Sequence, residues 1–207
     1  MRQKIKSKQR IPYPLIVIAC EGQTEKNYFD EIKCILKSIN PKINIDVISG
    51  EKSDCLSVVE LAKKYDAEYE CSQIFCVFDR DSKSNTEEKI KQACEKAKEI
   101  ENTEIIFSNP TFETWLLAHY KDIGYTNANN LKRELKKSEK LGSKFKCDTA
   151  KNYKKLRDKT QKASKRAEAL AKQNQRNKID KFSDDGNPST DVYKIINYLQ
   201  DLYKITL

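Results

Sequence analysis

Four short apolar runs set the rhythm of the first half of the chain, most of them followed by a polar turn and then by apolar positions at helical spacing. Leu15 to Cys20 (LIVIAC) is uninterrupted, and a strand apolar on both faces suits the centre of a parallel sheet. It ends in Glu21 and Gly22. Thr24 then offers a helix cap with Glu25 in the first turn, and Tyr28, Phe29, Ile32, Ile35, Leu36 and Ile39 share one helical face. Pro41 stops that helix. Ile43, Ile45, Val47 and Ile48 alternate enough to predict an edge strand, Ser49 to Asp54 a loop, and Leu56, Val59, Leu61, Ala62 and Tyr65 a second helix. The third run, Ile74 to Phe78, stops abruptly in Asp79, Arg80 and Asp81. Asn85 or Thr86 opens a third helix carrying Ile90, Ala93, Cys94, Ala97 and Ile100, and Glu104 to Phe107 is a fourth strand closed by Ser108, Asn109 and Pro110. These alternations predict an α/β fold with a parallel four-stranded sheet flanked by helices.

Beyond the fourth strand the pattern changes. Thr111 to Tyr120 (TFETWLLAHY) predicts a short buried helix with Glu113 in its first turn. The stretches 127–137, 149–157 and 161–176 read as polar, basic helices. Asp184 to Pro188 mark a turn, and Ser189 or Thr190 is expected to cap a last helix. Its Val192, Ile195, Ile196, Leu199, Leu202 and Tyr203 form a stripe that packs back onto the sheet. The expected division is a basic tail (1–12), an α/β core (13–124), a basic helical C-terminal extension (125–181) and a closing helix (182–207).

Charge sharpens this picture. The chain of 207 residues carries a formal +9, but 127–181 alone holds 19 lysines and arginines against six acids, a local +13. Regional positive charge of this kind neutralises phosphates and attracts nucleic acid, although a solvated helical face would look the same. Lys151, Lys154, Lys155 and Arg157 are the candidate contacts in it, with Tyr153 and Phe145 as stacking candidates. No apolar run approaches the ~20 residues that span a bilayer, so no membrane partner is expected. Seven scattered cysteines without a CxxC pair argue against zinc or disulfides and for a reducing, cytoplasmic location.

The candidate chemistry lies where strands end. In an open α/β sheet ligands bind outside the carboxyl ends of the strands. Glu21 and Glu25 follow the first strand, Asp79 and Asp81 the third, and Glu113 the fourth, so all five carboxylates share one edge. Converging acids repel one another unless a cation neutralises them. With His119 the only histidine, read as a helix-end residue, the expected ion is hard and oxygen-loving, Mg²⁺ or Mn²⁺. Each acid also has an ordinary reading: Asp81 as a cap, Glu25 and Glu113 as complements to helix N-termini.

An apolar strand ending in Glu-Gly, followed by one ending in Asp-x-Asp, resembles the Toprim fold. More closely, VIACEGQTEKNYF (17–29), FDRDS (78–82), SNPTFETWLLAHY (108–120) and NPSTDVYKII (187–196) resemble the RloB-like family of phage-defence proteins. The resemblance implies a Toprim-like core and metal-dependent hydrolysis of nucleic acid, either RNA such as tRNA or DNA, under a partner ATPase of ABC or AAA type. Glu21, Glu25 and Asp81 would hold one ion, and Asp79, with Glu113, a second; two such ions activate water and neutralise the leaving oxygen. The resemblance also allows Glu21 to act as general base or acid. Arg80, Lys83 or a lysine of the basic helices would stabilise the transition state, while Arg80, which alternates to the other side of the chain from Asp79 and Asp81, also has a structural reading. The alternative is an inactive Toprim-like subunit that binds nucleic acid or a partner.

Overall fold

The computed structural model describes residues 13–52, 54–80, 84–137, 153 and 155–207. In chain order the elements are β1 (Leu15–Cys20), α1 (Gln23–Ile39), β2 (Asn44–Ser49), α2 (Cys55–Glu68), β3 (Cys71–Asp79), α3 (Glu87–Lys98) and β4 (Thr103–Asn109). There follow α4 (Glu113–Ala118), α5 (Ala128–Lys137), α6 (Thr160–Arg176), a 3₁₀ turn (Asp184–Gly186), β5 (Ser189–Thr190) and α7 (Val192–Tyr203).

The strands form one sheet in the order β2-β1-β3-β4-β5. β2, β1, β3 and β4 pair in parallel, and β5 adds two residues antiparallel to β4. The sheet is therefore five-stranded and mostly parallel rather than four-stranded. Ser189 and Thr190, expected to cap the last helix, are instead the fifth strand, and Asp191 takes the N-cap position of α7.

Period-two alternation decides how the sheet is covered. Ile16, Ile18 and Cys20 of β1 and Phe75 and Val77 of β3 face one core with Tyr28, Phe29 and Ile32 of α1, Trp115 and Leu116 of α4, and Ile195 and Leu199 of α7. Leu15, Val17 and Ala19, with Ile74, Cys76 and Phe78, face the other core beneath α2 and α3. All six β1 residues are buried, and each large apolar side chain so covered contributes about 1.5–3 kcal/mol relative to exposure. β2 is an edge strand with alternating burial, as its pattern predicts.

The basic helices lean on the same layer: Leu131, Leu135, Leu156, Ala163 and Ala167 join the core of α1, α4 and α7. Alanines at these α6 positions let it approach closely. Tyr153 is also buried there, its ring 5.4 Å from Tyr28, so it is core and unavailable to stack on a base. Phe145, like 149–152 of the expected middle helix, lies outside the described residues. Leu202 is 45% exposed although it was expected in the closing stripe. At about 100° per residue it lies about 80° from Val192 and about 20° beyond Ile195, so it falls at the rim of the buried stripe rather than along its middle. Among the described residues no helix is long and apolar enough to cross a membrane.

Candidate functional site

The strand order reverses between β1 and β3: the chain passes from β1 to β2 on one side and returns to β3 on the other. Such a switch point opens a crevice at the carboxyl ends of the two strands. Glu21 stands at one lip and Asp79 at the other.

Their relation is fixed by backbone register. The Glu21 N–H donates to Val77 O at 3.0 Å, continuing the β1–β3 ladder one residue past Cys20. The Glu21 carboxylate turns back across the lip, and its Oε2 accepts from Asp79 N–H at 3.1 Å. It also accepts from Asn85 Nδ2 at 2.9 Å. The same Asn85 amide donates to Asp79 O at 2.7 Å, while its Oδ1 accepts from Cys55 N–H at 2.8 Å. Asn85 is 5% exposed. It is not the cap of α3, which is Thr86; it is a clamp joining the ends of β1 and β3 to the start of α2. Its position one residue before a cap gives no sequence signal for such a role.

Gly22 takes the N-cap position of α1 without a side-chain cap, where Thr24 was expected. Glu25 is buried in the first turn and folds back over Gly22: a Cβ on Gly22 would lie 2.6 Å from Glu25 Oε2. Glu113 opens α4, where the chain leaves β4 through Pro110.

Asp79 is the electrostatic centre of this group. Its Oδ1 is shut off from solvent and has no hydrogen-bond partner. Burial pushes its pKa well above the usual carboxylate range, and the charges of Glu25, Glu113 and Glu21 push it the same way, against a stabilising N–H from Phe112. The sheet edge thus brings Glu21, Glu25 and Glu113 within electrostatic reach of Asp79. Asp81 and Lys83 lie outside the described residues, as do Lys151 and Lys154. Among the described residues, no three acidic, cysteine or histidine side chains stand close enough together to hold an ion as they are.

Softer donors do not enter. Burial raises Cys55 to about 11, helped by Glu21, and raises Cys76 to about 12, so both stay thiols. His119 is buried at the end of α4 with Nδ1 on Trp115 O at 3.0 Å, and burial lowers its pKa to about 4. It stacks edge-on with Trp115 and Tyr28, so it belongs to the aromatic core. Lys155 and Arg157 are exposed. Arg80 is not free to solvent: its guanidinium pairs with Asp184. A groove of about 480 Å³ between α4 and α6, lined by Thr114, Ala118, Asp122, Ile123, Ala167 and Leu170 among others, contains none of the candidate carboxylates of the sheet edge.

Sequence reasoning also missed Asp191, an acid 5% exposed beside β5. Its carboxylate pairs with Lys181, and its N–H donates to Phe107 O at 2.9 Å, stitching α7 to the sheet. No curated protein and no solved structure matches the chain. The model built for RloB-like proteins matches residues 16–199, from the first buried strand to the last buried position of α7, and the chain therefore belongs to the RloB-like family.

Proposed function

We propose that the chain is a divalent-metal-dependent nuclease with a Toprim-like core, cutting the phosphodiester backbone of RNA or DNA in anti-phage defence under the control of a partner ATPase. The observation that carries the reading is the buried, unpartnered Oδ1 of Asp79 among three further carboxylates at the switch point of the sheet. An orphaned anionic oxygen in such surroundings is costly unless a cation completes it. The donor set is all hard oxygen, which fits Mg²⁺ or Mn²⁺. Glu21, Glu25, Asp79 and Glu113, joined by Asp81, would hold the metal, which would supply an activated water and neutralise the leaving oxygen.

The chain's own residues do the positioning. Glu21 is held by two donors on Oε2, so its orientation is set before any ligand arrives. Lys155 and Arg157 give the strand a basic approach.

The test compares wild type with Asp79→Ala/Asp81→Ala on tRNA and on DNA, with Mg²⁺, Mn²⁺ or EDTA, with and without the partner ATPase. Cleavage that needs metal and both aspartates is the expected result; no metal-dependent difference in any arm sinks the reading. A second reading, an inactive nucleic-acid-binding subunit, draws on the lack of a ready three-ligand cluster among the described residues. It predicts binding without cleavage in the same experiment.

Gly22 provides a finer probe. Its backbone, φ −128° and ψ 168°, is open to any residue, so Gly22→Ala should change unfolding free energy by less than about 1 kcal/mol. The new methyl must nevertheless displace the Glu25 carboxylate. Mn²⁺ affinity, read by electron paramagnetic resonance, and cleavage should both fall by about 10–100-fold; an unaltered affinity would remove Glu25 from the site.

A further inference from the structure

The turn carrying Asp184 is built onto the same edge of the sheet. Asn109, the last residue of β4, donates its amide to the carbonyls of Lys181 at 3.2 Å and Ser183 at 2.8 Å. Gly186 lets the turn close on itself, since a Cβ there would lie 2.6 Å from Lys181 O. Opposite, the Arg80 N–H donates to Ser108 O at 2.9 Å, so Arg80 continues the β3–β4 ladder one residue past Asp79.

Between these two fixed pieces lies one ion pair. Arg80 Nε and Nη2 both reach the same oxygen, Asp184 Oδ1, at 3.2 and 2.6 Å. The arginine side chain is 17% exposed and the aspartate side chain 92%. The cation is thus built into the protein, and its anion stands in water. A guanidinium fork matches two oxygens of one anion side by side, whereas here two N–H groups share a single oxygen. An ion pair with so exposed a partner adds little net stability, so another anion can take its place at low cost.

We propose that the Arg80 fork is a phosphodiester-binding subsite next to the acidic edge, and that Asp184 is the internal anion that holds it until a nucleic-acid strand displaces it. The identity of the ligand rests on the nuclease reading above. Arg80 follows Asp79 at the carboxyl end of β3, so a phosphate on its fork is held at the acidic end of the sheet, on the face opposite the Asp79 side chain. Asp184 then sets affinity by competition: it keeps Arg80 aimed, and it must leave when the strand docks.

Binding measured in EDTA separates this from catalysis. Fluorescein-labelled single-stranded RNA and DNA oligonucleotides would be titrated, by anisotropy, with wild type and with Arg80→Ala, Asp184→Asn, Asp185→Asn and Arg80→Ala/Asp184→Asn. Asp185 is the exposed neighbour, and its variant reports the general effect of removing one negative charge. Arg80→Ala should weaken binding by about 3–10-fold and Asp184→Asn should tighten it by about 2–5-fold, more than Asp185→Asn does. In the Arg80→Ala background the Asp184 change should add no more than the Asp185 change. Asp184→Ser, scored with thermal midpoints, guards against a variant that loosens the turn, and it carries the same expectation. Equal effects of Asp184→Asn and Asp185→Asn, an undiminished Asp184 effect without Arg80, or weaker binding with a lower midpoint would each show a structural latch and overturn the proposal. Absence of wild-type binding to both oligonucleotides overturns it too. If the binding series behaves as expected but no metal supports cleavage, the subsite stands and the nuclease reading falls.

Discussion

Asp79→Asn should abolish metal-dependent cleavage and at the same time stabilise the metal-free protein. On the proposed function, losing one metal-holding carboxylate would take away about 4 kcal/mol of transition-state stabilisation, on the order of a 10³-fold loss in rate. The stability change has the opposite sign because the surroundings disfavour the ionised form of Asp79: its Oδ1 is shut off from solvent and unpartnered, and Glu25, Glu113 and Glu21 repel its charge. Its folded pKa lies above the unfolded value of about 3.9, so the folded chain binds this proton more tightly. Stability is then greatest at low pH for this group, and it falls as pH rises from about 4 through the raised value. In EDTA the wild-type thermal midpoint should decline over that window, and Asp79→Asn should lack this component. At neutral pH the variant should melt about 2–4 °C higher for each kcal/mol of repulsion relieved. A variant that melts lower, with the wild-type pH slope, would show that the carboxylate is a structural anchor rather than an unfilled ligand.

Asn85 carries the second large effect. Its three hydrogen bonds tie together parts of the chain 30 and 64 positions apart in sequence. Asn85→Ala should cost roughly 2–4 kcal/mol, since one bond goes to a carboxylate and the Cys55 N–H is left buried. Asn85→Asp is the more telling change. A carboxylate can still accept from Cys55 N–H, yet it can donate neither to Glu21 Oε2 nor to Asp79 O, and it sets a further negative charge against Glu21. Urea unfolding at pH 8 should therefore find Asn85→Asp less stable than Asn85→Ala, with the gap closing as pH falls toward 5. Were Asn85 only a cap for α2, aspartate would serve as well as asparagine, and the order would reverse.

Much of this architecture was readable because burial writes itself into residue type. LIVIAC and IFCVF are apolar at every position because helices cover both faces of the sheet, and the alternation of β2 marks an edge. The convergence of Glu21, Glu25, Asp79 and Glu113 followed from parallel topology alone, since parallel strands put all their carboxyl ends on one side. What could not be read has a common cause: it depends on contacts between distant residues that leave no periodicity. β5 is two residues long, too short to show a period, and Ser-Thr before a helix resembles a cap. Asn85, Asp184 and Asp191 act through partners 64, 104 and 10 positions away. Tyr153 lies in a basic stretch, where polarity of the neighbours conceals one buried ring.

Antiparallel pairing of β5 with β4 also orders the molecule in time. Ser108 and Thr190, whose hydroxyls meet at 3.1 Å, are 82 positions apart, and Arg80 and Asp184 are 104 apart. A ribosome adding about 5–20 residues per second needs on the order of 5–20 s to cover that interval. The four parallel strands can pair as they emerge, but the edge that presents the acids acquires its outer strand, its turn and its covering helix only after those further residues have been added. For that interval a nascent chain already holds the carboxylates while still lacking the frame around them.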